Sequence, residues 1–131
     1  MDKIIIFSQT WHLKDPQIRE DGSLRLFEEK IIEEKQVVLW VNSGESGCHH
    51  IPHVHASFSD KEYSISIDGQ NRLLAPDKED KYYRFIVKNY FNEDNLQLFR
   101  SYWNNKTDAK IKFQKNNNGE YLNIYKMEKI L

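Results

Sequence analysis

Cysteine occurs once in the 131 residues, proline three times and glycine five times. A single cysteine excludes an internal disulfide and favours a reducing compartment. Proline and glycine are sparse, and no internal repeat or low-complexity linker interrupts the chain. An excess of one charge is also missing: 19 Lys and Arg face 20 Asp and Glu, for a formal net charge of -1. A non-specific nucleic-acid binder would carry a basic surplus to displace counterions. A chain imitating the charge of DNA over its whole surface would be far more acidic. No long hydrophobic run is present. The apolar start, Ile4-Ile5-Ile6-Phe7, is too short for a signal-peptide core and far too short to span a bilayer. The expectation is an N-terminal strand in a cytoplasmic protein.

What is there is a folding composition. Aromatic residues make up 13% of the chain, which argues against disorder. The length predicts a single domain, 1–131, that buries roughly two-thirds of its unfolded surface without disulfides. Ser23 is a candidate N-cap for a helix through about Glu34, with Leu24, Leu26, Phe27 and Ile31 at helical spacing. Val37 to Val41 is a continuous β-branched run, read as a central strand buried on both sides. His53 to Ser59 and Glu62 to Ile67 read as two strands, with Tyr63, Ile65 and Ile67 on one face. Asp77 or Asp80 starts a helix through Tyr90, and Asn92-Glu93-Asp94 starts another carrying Leu96, Phe99 and Trp103. The tail alternates on either side of an Asn-rich turn and reads as a hairpin. The sum is an α+β fold: a mainly antiparallel sheet, two or three helices packed on one face, and a C-terminal β-hairpin.

One segment carries chemistry. Residues 48 to 55 read Cys48-His49-His50-Ile51-Pro52-His53-Val54-His55, with four of the chain's five histidines and its only cysteine. Thiolate and imidazole together favour zinc or another borderline-soft metal. On a strand, His53 and His55 project from one face, and Pro52 holds the approach extended. Gly44 and Gly47 let the preceding loop fold back over that face. The metal candidates are therefore Cys48, His49, His50, His53 and His55. The bland alternative is a set of surface histidines beside an ordinary buried thiol. Cys48 with three histidines would fill a tetrahedral shell and make one structural Zn2+ per chain. Fewer ligands would leave a water position, with Glu45, Asp60, Glu62 or Asp68 as candidate bases. No catalytic residue is assigned.

These residues resemble a small bacterial domain family of unknown function with the signature acidic-His-x-Pro-Pro-His-x-His. Pro52, His53 and His55 match it, His49 stands at its first histidine, and Ala56 follows as a small residue. Cys48 takes the acidic position and Ile51 the first proline, which departs from the pattern. The similarity runs over about residues 37 to 103. Members are often encoded beside another small protein, as in toxin–antitoxin modules, so the resemblance implies a partner-binding role. In size and style the chain also looks like phage-encoded anti-CRISPR proteins, which bind an RNA-guided effector nuclease and stop it.

The leading expectation is a zinc-binding phage or mobile-element protein that inhibits such a nuclease by stoichiometric binding. Exposed aromatics among Tyr82-Tyr83, Tyr90-Phe91 and Tyr102-Trp103 would supply contact area. The acidic runs Glu28 to Glu34 and Asp77 to Asp80 would face a basic channel. One alternative is a toxin–antitoxin component or regulator, and another is a metal-dependent hydrolase or nuclease. Strong direct nucleic-acid binding is not expected. The Lys-rich tail (Lys110, Lys112, Lys115, Lys126, Lys129) is the only basic concentration that could meet phosphate. No membrane partner is expected.

Overall fold

The computed structural model describes residues 2–14, 32–44, 51–74 and 78–127, with backbone alone at 13, 14, 32 and 33. Four strands form an antiparallel meander in the order β1 (Lys3–Lys14), β2 (Ile32–Asn42), β3 (His53–Phe58), β4 (Lys61–Ser66). Two helices follow, α1 (Lys81–Tyr90) and α2 (Glu93–Lys106). A separate antiparallel hairpin, β5 (Ile111–Lys115) and β6 (Tyr121–Met127), comes last. The fold is α+β with a mainly antiparallel sheet, as the pattern of apolar residues predicts.

Alternation decides which face of the sheet is dry. Val37, Leu39 and Val41 on β2 share a face with Val54, Ala56 and Phe58 on β3 and with Tyr63 and Ile65 on β4. All are buried. The helices cover this face through aromatic rings: Phe58 meets Tyr82 and Phe85, Phe7 meets Tyr90 and Phe99, and Trp11 meets Phe85. The opposite face is polar along its outer half. There Thr10, Gln36 and Ser8 form a hydrogen-bonded row.

Helix starts follow local chemistry. Asp80 caps α1 by accepting from the Tyr83 N–H at 2.8 Å, and Asn92 caps α2 by accepting from the Asn95 N–H at 2.9 Å. Asp77 lies outside the described residues. Among the paired aromatics, Tyr83, Tyr90, Phe91 and Trp103 are core, while Tyr82 and Tyr102 are half-buried against it. The expected helix from Ser23 lies mostly outside the described residues, but its end is corrected. Ile32 to Glu34 are strand, paired with Lys14, Leu13 and His12. The helical spacing of Leu24 to Ile31 does not carry into Ile32, because a longer β1 offers residues 32–34 a cross-strand partner. Trp11-His12-Leu13 accordingly extends the first strand.

Two devices finish the sheet. Asp68 and Gly69 (φ +92°) turn the chain back, and Arg72 to Leu74 return beside β4, with Ser66 N–H donating to Arg72 O and Leu74 N–H to Ser64 O, each at 2.8 Å. This covers an otherwise open edge. The hairpin is held to α2 by two side-chain amides seven residues apart. Gln97 exchanges two hydrogen bonds with the backbone of Tyr121 (2.6 and 2.7 Å), and Asn104 does the same with Phe113 (3.0 and 2.9 Å). Among the described residues no helix is long and apolar enough to cross a membrane.

Candidate metal centre

Pro52 supplies no amide proton, but its carbonyl accepts from Ile67 N–H at 3.1 Å and ties the start of β3 to the end of β4. His53 follows at once. Since Val54 and Ala56 face the core, His53 and His55 face the other way, and their ring centroids are 5.1 Å apart at 80°. The sequence expectation that the two share a face holds. His53 is buried at 1% exposure, and its ring lies 5.3 Å from Trp103. His55 stacks on Trp40, with centroids 5.5 Å apart at 17°. The ammonium of Lys3 sits 4.1 Å from the centroid of Trp40. A run of rings, Trp40, His55, His53 and Trp103, thus crosses one end of the sheet.

Hydrogen bonds assign the ring protons. His53 Nδ1 lies 3.0 Å from the Ile51 carbonyl oxygen. A carbonyl only accepts, so Nδ1 carries the proton and Nε2 of the neutral ring carries the lone pair. This is the arrangement of a ligating imidazole, which donates its second N–H to a carbonyl or carboxylate. His53 fits a metal. His55 is engaged at both nitrogens: the Asn42 amide donates to Nε2 at 3.2 Å, and Nδ1 donates to Ser64 Oγ at 3.3 Å. Trp40 Nε1 is buried, with no acceptor among the described residues.

Cys48, His49 and His50 lie outside the described residues. The flanks of their connection are fixed: Ser43 N–H donates to Asp2 O at 3.0 Å, and Ser43 O accepts from Asp108 N–H at 3.1 Å. Among the described residues there is no group of three His, Cys, Asp or Glu side chains that could hold a metal.

Of the carboxylates considered as bases, Glu45 lies outside the described residues. Asp60 and Glu62 sit at the far end of the β3–β4 hairpin, about 15–20 Å from His53 at strand rise. Asp68 is at the right end, because Ser66, opposite His53, donates to its Oδ1 at 2.9 Å. Burial pushes the Asp68 carboxyl up. The Arg72 guanidinium at 2.5 Å, the Gln70 N–H and the Ser66 hydroxyl outweigh it and hold the group below its usual range. Such a carboxylate is a weak base at neutral pH.

Arg100, 3% exposed, reaches the same end of the sheet from α2 and donates from Nε to Ile67 O at 3.1 Å. Burial lowers its affinity for the proton, opposed by the nearby charges of Glu93 and Asp68. Sequence reasoning missed Arg100, which sits among Leu96, Phe99 and Trp103 on the buried stripe of α2. That position at helical spacing was its only signal.

The surfaces expected to bind partners are partly spent. Lys112 Nζ donates to Asn104 O and Thr107 O at the end of α2, and Lys115 lies over the Tyr121 ring. Asp80 is used as a helix cap. Comparisons with protein-family models, with curated proteins and with solved structures each return no match.

Proposed function

We propose that this chain is a cytoplasmic zinc-stapled binding protein that acts by stoichiometric association with a protein partner. The observation that carries the reading is His53: buried at the start of β3, with Nδ1–H donated to the Ile51 carbonyl, the second-nitrogen anchoring that ligating imidazoles use. Cys48, His49 and His50 precede it by three to five residues in the sequence and are the remaining ligand types for one structural zinc. Zinc there contributes folding free energy by joining the β2–β3 connection to the sheet. Association is supported by large apolar side chains at the surface: Ile5, Ile124 and Met127 are each more than half exposed. The likeness in size and style to phage-encoded inhibitors supports an RNA-guided effector nuclease as the partner. The segment Pro52-His53-Val54-His55 supports a second reading, in which the partner is a small protein of a toxin–antitoxin pair.

The test has two parts. Elemental analysis of protein purified without a His tag should give about one zinc per chain, lost in His53→Ala. Titration into a guide-loaded effector nuclease should give a one-to-one complex and stop DNA cleavage. Undiminished cleavage in excess inhibitor removes the nuclease, and a tight complex with the product of a neighbouring small gene selects the second reading. Metal-dependent turnover of nucleic acid that disappears in His53→Ala would replace both by a hydrolase.

A further inference from the structure

Resting on the association reading above, we infer that the outer face of the β5–β6 hairpin is the docking surface for the protein partner, and that it takes an acidic segment carrying an apolar side chain. Alternation assigns the two faces of the hairpin. Phe113 is buried, its ring lies 5.5 Å from that of Tyr125 between centroids, and Gln97 of α2 bonds to the backbone of Tyr121. Phe113 pairs with Tyr125 and Lys115 with Tyr121, so the odd-numbered residues of both strands share the inner face, turned to α2. The outer face is then Lys112 and Gln114 on β5 and Leu122, Ile124 and Lys126 on β6, with Lys110 just before β5 continuing the row. These outer positions hold Lys110, Lys112 and Lys126 and no carboxylate, in a chain whose charges otherwise nearly balance.

Ile124 is 53% exposed and Leu122 half-buried, so the centre of this face is apolar. Lys112 and Lys126 stand directly opposite each other in the register, a like-charge pair that costs stability. The Asn104 and Thr107 carbonyls meet the ammonium of Lys112. Lys110 and Lys126 are exposed, and among the described residues no carboxylate lies within ion-pair distance of any of the three. A carboxylate set against Lys126 relieves the like-charge pair and adds its own attraction. Lys126 and Ile124 are two residues apart on one strand, about 7 Å. The fitting partner therefore presents a carboxylate and an apolar side chain about 7 Å apart. Gln97 and Asn104 clamp both strands to α2, so the platform is ordered before binding and the cost of ordering it is low. Nucleic acid fits less well. The face has no arginine for phosphate, its centre is aliphatic, and Tyr121 and Tyr125, which could stack on bases, lie on the inner face. One strongly exposed aliphatic side chain is also too little to seat the face in a bilayer.

Amide NMR of the full chain at low salt tests this with four probes: a short synthetic peptide alternating glutamate and valine, the same peptide with lysine for glutamate, random duplex DNA, and phosphatidylserine vesicles. The acidic peptide should shift the amides of residues 110–114 and 122–126, and the lysine peptide should not. Ile124→Ser should weaken the acidic peptide by about tenfold, as for one lost aliphatic contact. Lys126→Glu should weaken it by about fivefold at low salt and by less as salt rises. Both positions are exposed, and circular dichroism checks that the variants fold. No binding of the acidic peptide, shifts confined to other surfaces, or equal affinity for the lysine peptide overturns the inference. So does tighter binding of duplex DNA or of vesicles than of the acidic peptide, which would make this a surface for phosphate or for lipid. In a one-to-one complex with a partner protein, both variants should bind more weakly. Undiminished affinity there overturns this surface and leaves the association reading standing. Wild type that binds neither the nuclease nor the neighbouring gene product, while the acidic peptide still shifts the hairpin, overturns those partners and leaves the surface to an acidic segment of another protein.

Discussion

Replacing Asn104 with alanine should cost more than replacing Gln97, although both side chains make two hydrogen bonds to the hairpin backbone. A protein hydrogen bond contributes about 0.5–1.5 kcal/mol net, but a buried group stripped of its partner costs about 1–3 kcal/mol. Phe113 is buried, so Asn104→Ala strips an N–H and a C=O that water does not readily reach. The expected loss is about 2–4 kcal/mol. Tyr121 is half-exposed, water can take over, and Gln97→Ala should cost about 1–2 kcal/mol. For a chain of this size each kcal/mol lowers Tm by about 3–5 °C. Urea unfolding measures the totals, and amide hydrogen exchange at Phe113 and Tyr121 localises them. The two sites are seven residues apart on α2 without a shared partner, so the double variant should be additive within about 0.5 kcal/mol. Unchanged exchange at Phe113 in Asn104→Ala, or a larger loss for Gln97→Ala, would refute the reasoning.

Three further outcomes follow from the packing. Arg100→Met keeps volume and removes a desolvated charge but strips the Ile67 carbonyl of its donor, so it should cost about 1–2 kcal/mol; Arg100→Ala strips the same carbonyl and adds a cavity, so it should cost about 3–5 kcal/mol, and equal losses by calorimetry would sink this account. Asp80→Ala should destabilise by about 1–2 kcal/mol through loss of the α1 cap and of the Tyr63 hydroxyl contact, read by thermal melts at pH 7. Asp80 and Asp68 both have folded pKa values held below the unfolded one, although burial alone would raise them. Their stabilisation is therefore complete above about pH 4 and is lost as pH falls through the folded values. An Asp68→Asn, Asp80→Asn double variant should accordingly show a flatter stability curve below pH 4, and a curve as steep as wild type would remove these two groups from the acid limb.

The local rules that sequence reading uses worked where they acted alone. Alternation at Tyr63, Ile65 and Ile67 marked the dry face of β4, and Asn92 before Leu96 and Phe99 marked the start of α2. They failed where a distant partner decides. Ile32 to Glu34 became strand because residues 12 to 14 lie opposite them. Lys112 reads as a solvated outer residue by alternation, yet the open carbonyls at the end of α2 claim its ammonium. At the candidate centre, spacing placed His53 and His55 on one face. Which nitrogen of each carries a proton depends on Ile51, Asn42 and Ser64, and no spacing rule encodes that.

The charged groups at the His53 end of the sheet also bear on chemistry. A hydrolytic centre needs a base whose proton affinity lies near the working pH. Asp68 accepts hydrogen bonds from Arg72, Gln70 and Ser66, which favour its charged form and leave it no drive to take a proton at neutral pH. Arg100, with its proton held even in a buried site, is a donor and not a base. Both groups act on structure: Asp68 closes the turn that leads to Arg72–Leu74, and Arg100 joins α2 to Ile67. Asp68→Asn should then lower stability, with zinc affinity changed by no more than about tenfold, the low end of an outer partner's influence. If hydrolysis were found and Asp68→Asn abolished it without loss of fold, the carboxylate would be the base, and the hydrogen bonds that now hold it would have to open during turnover.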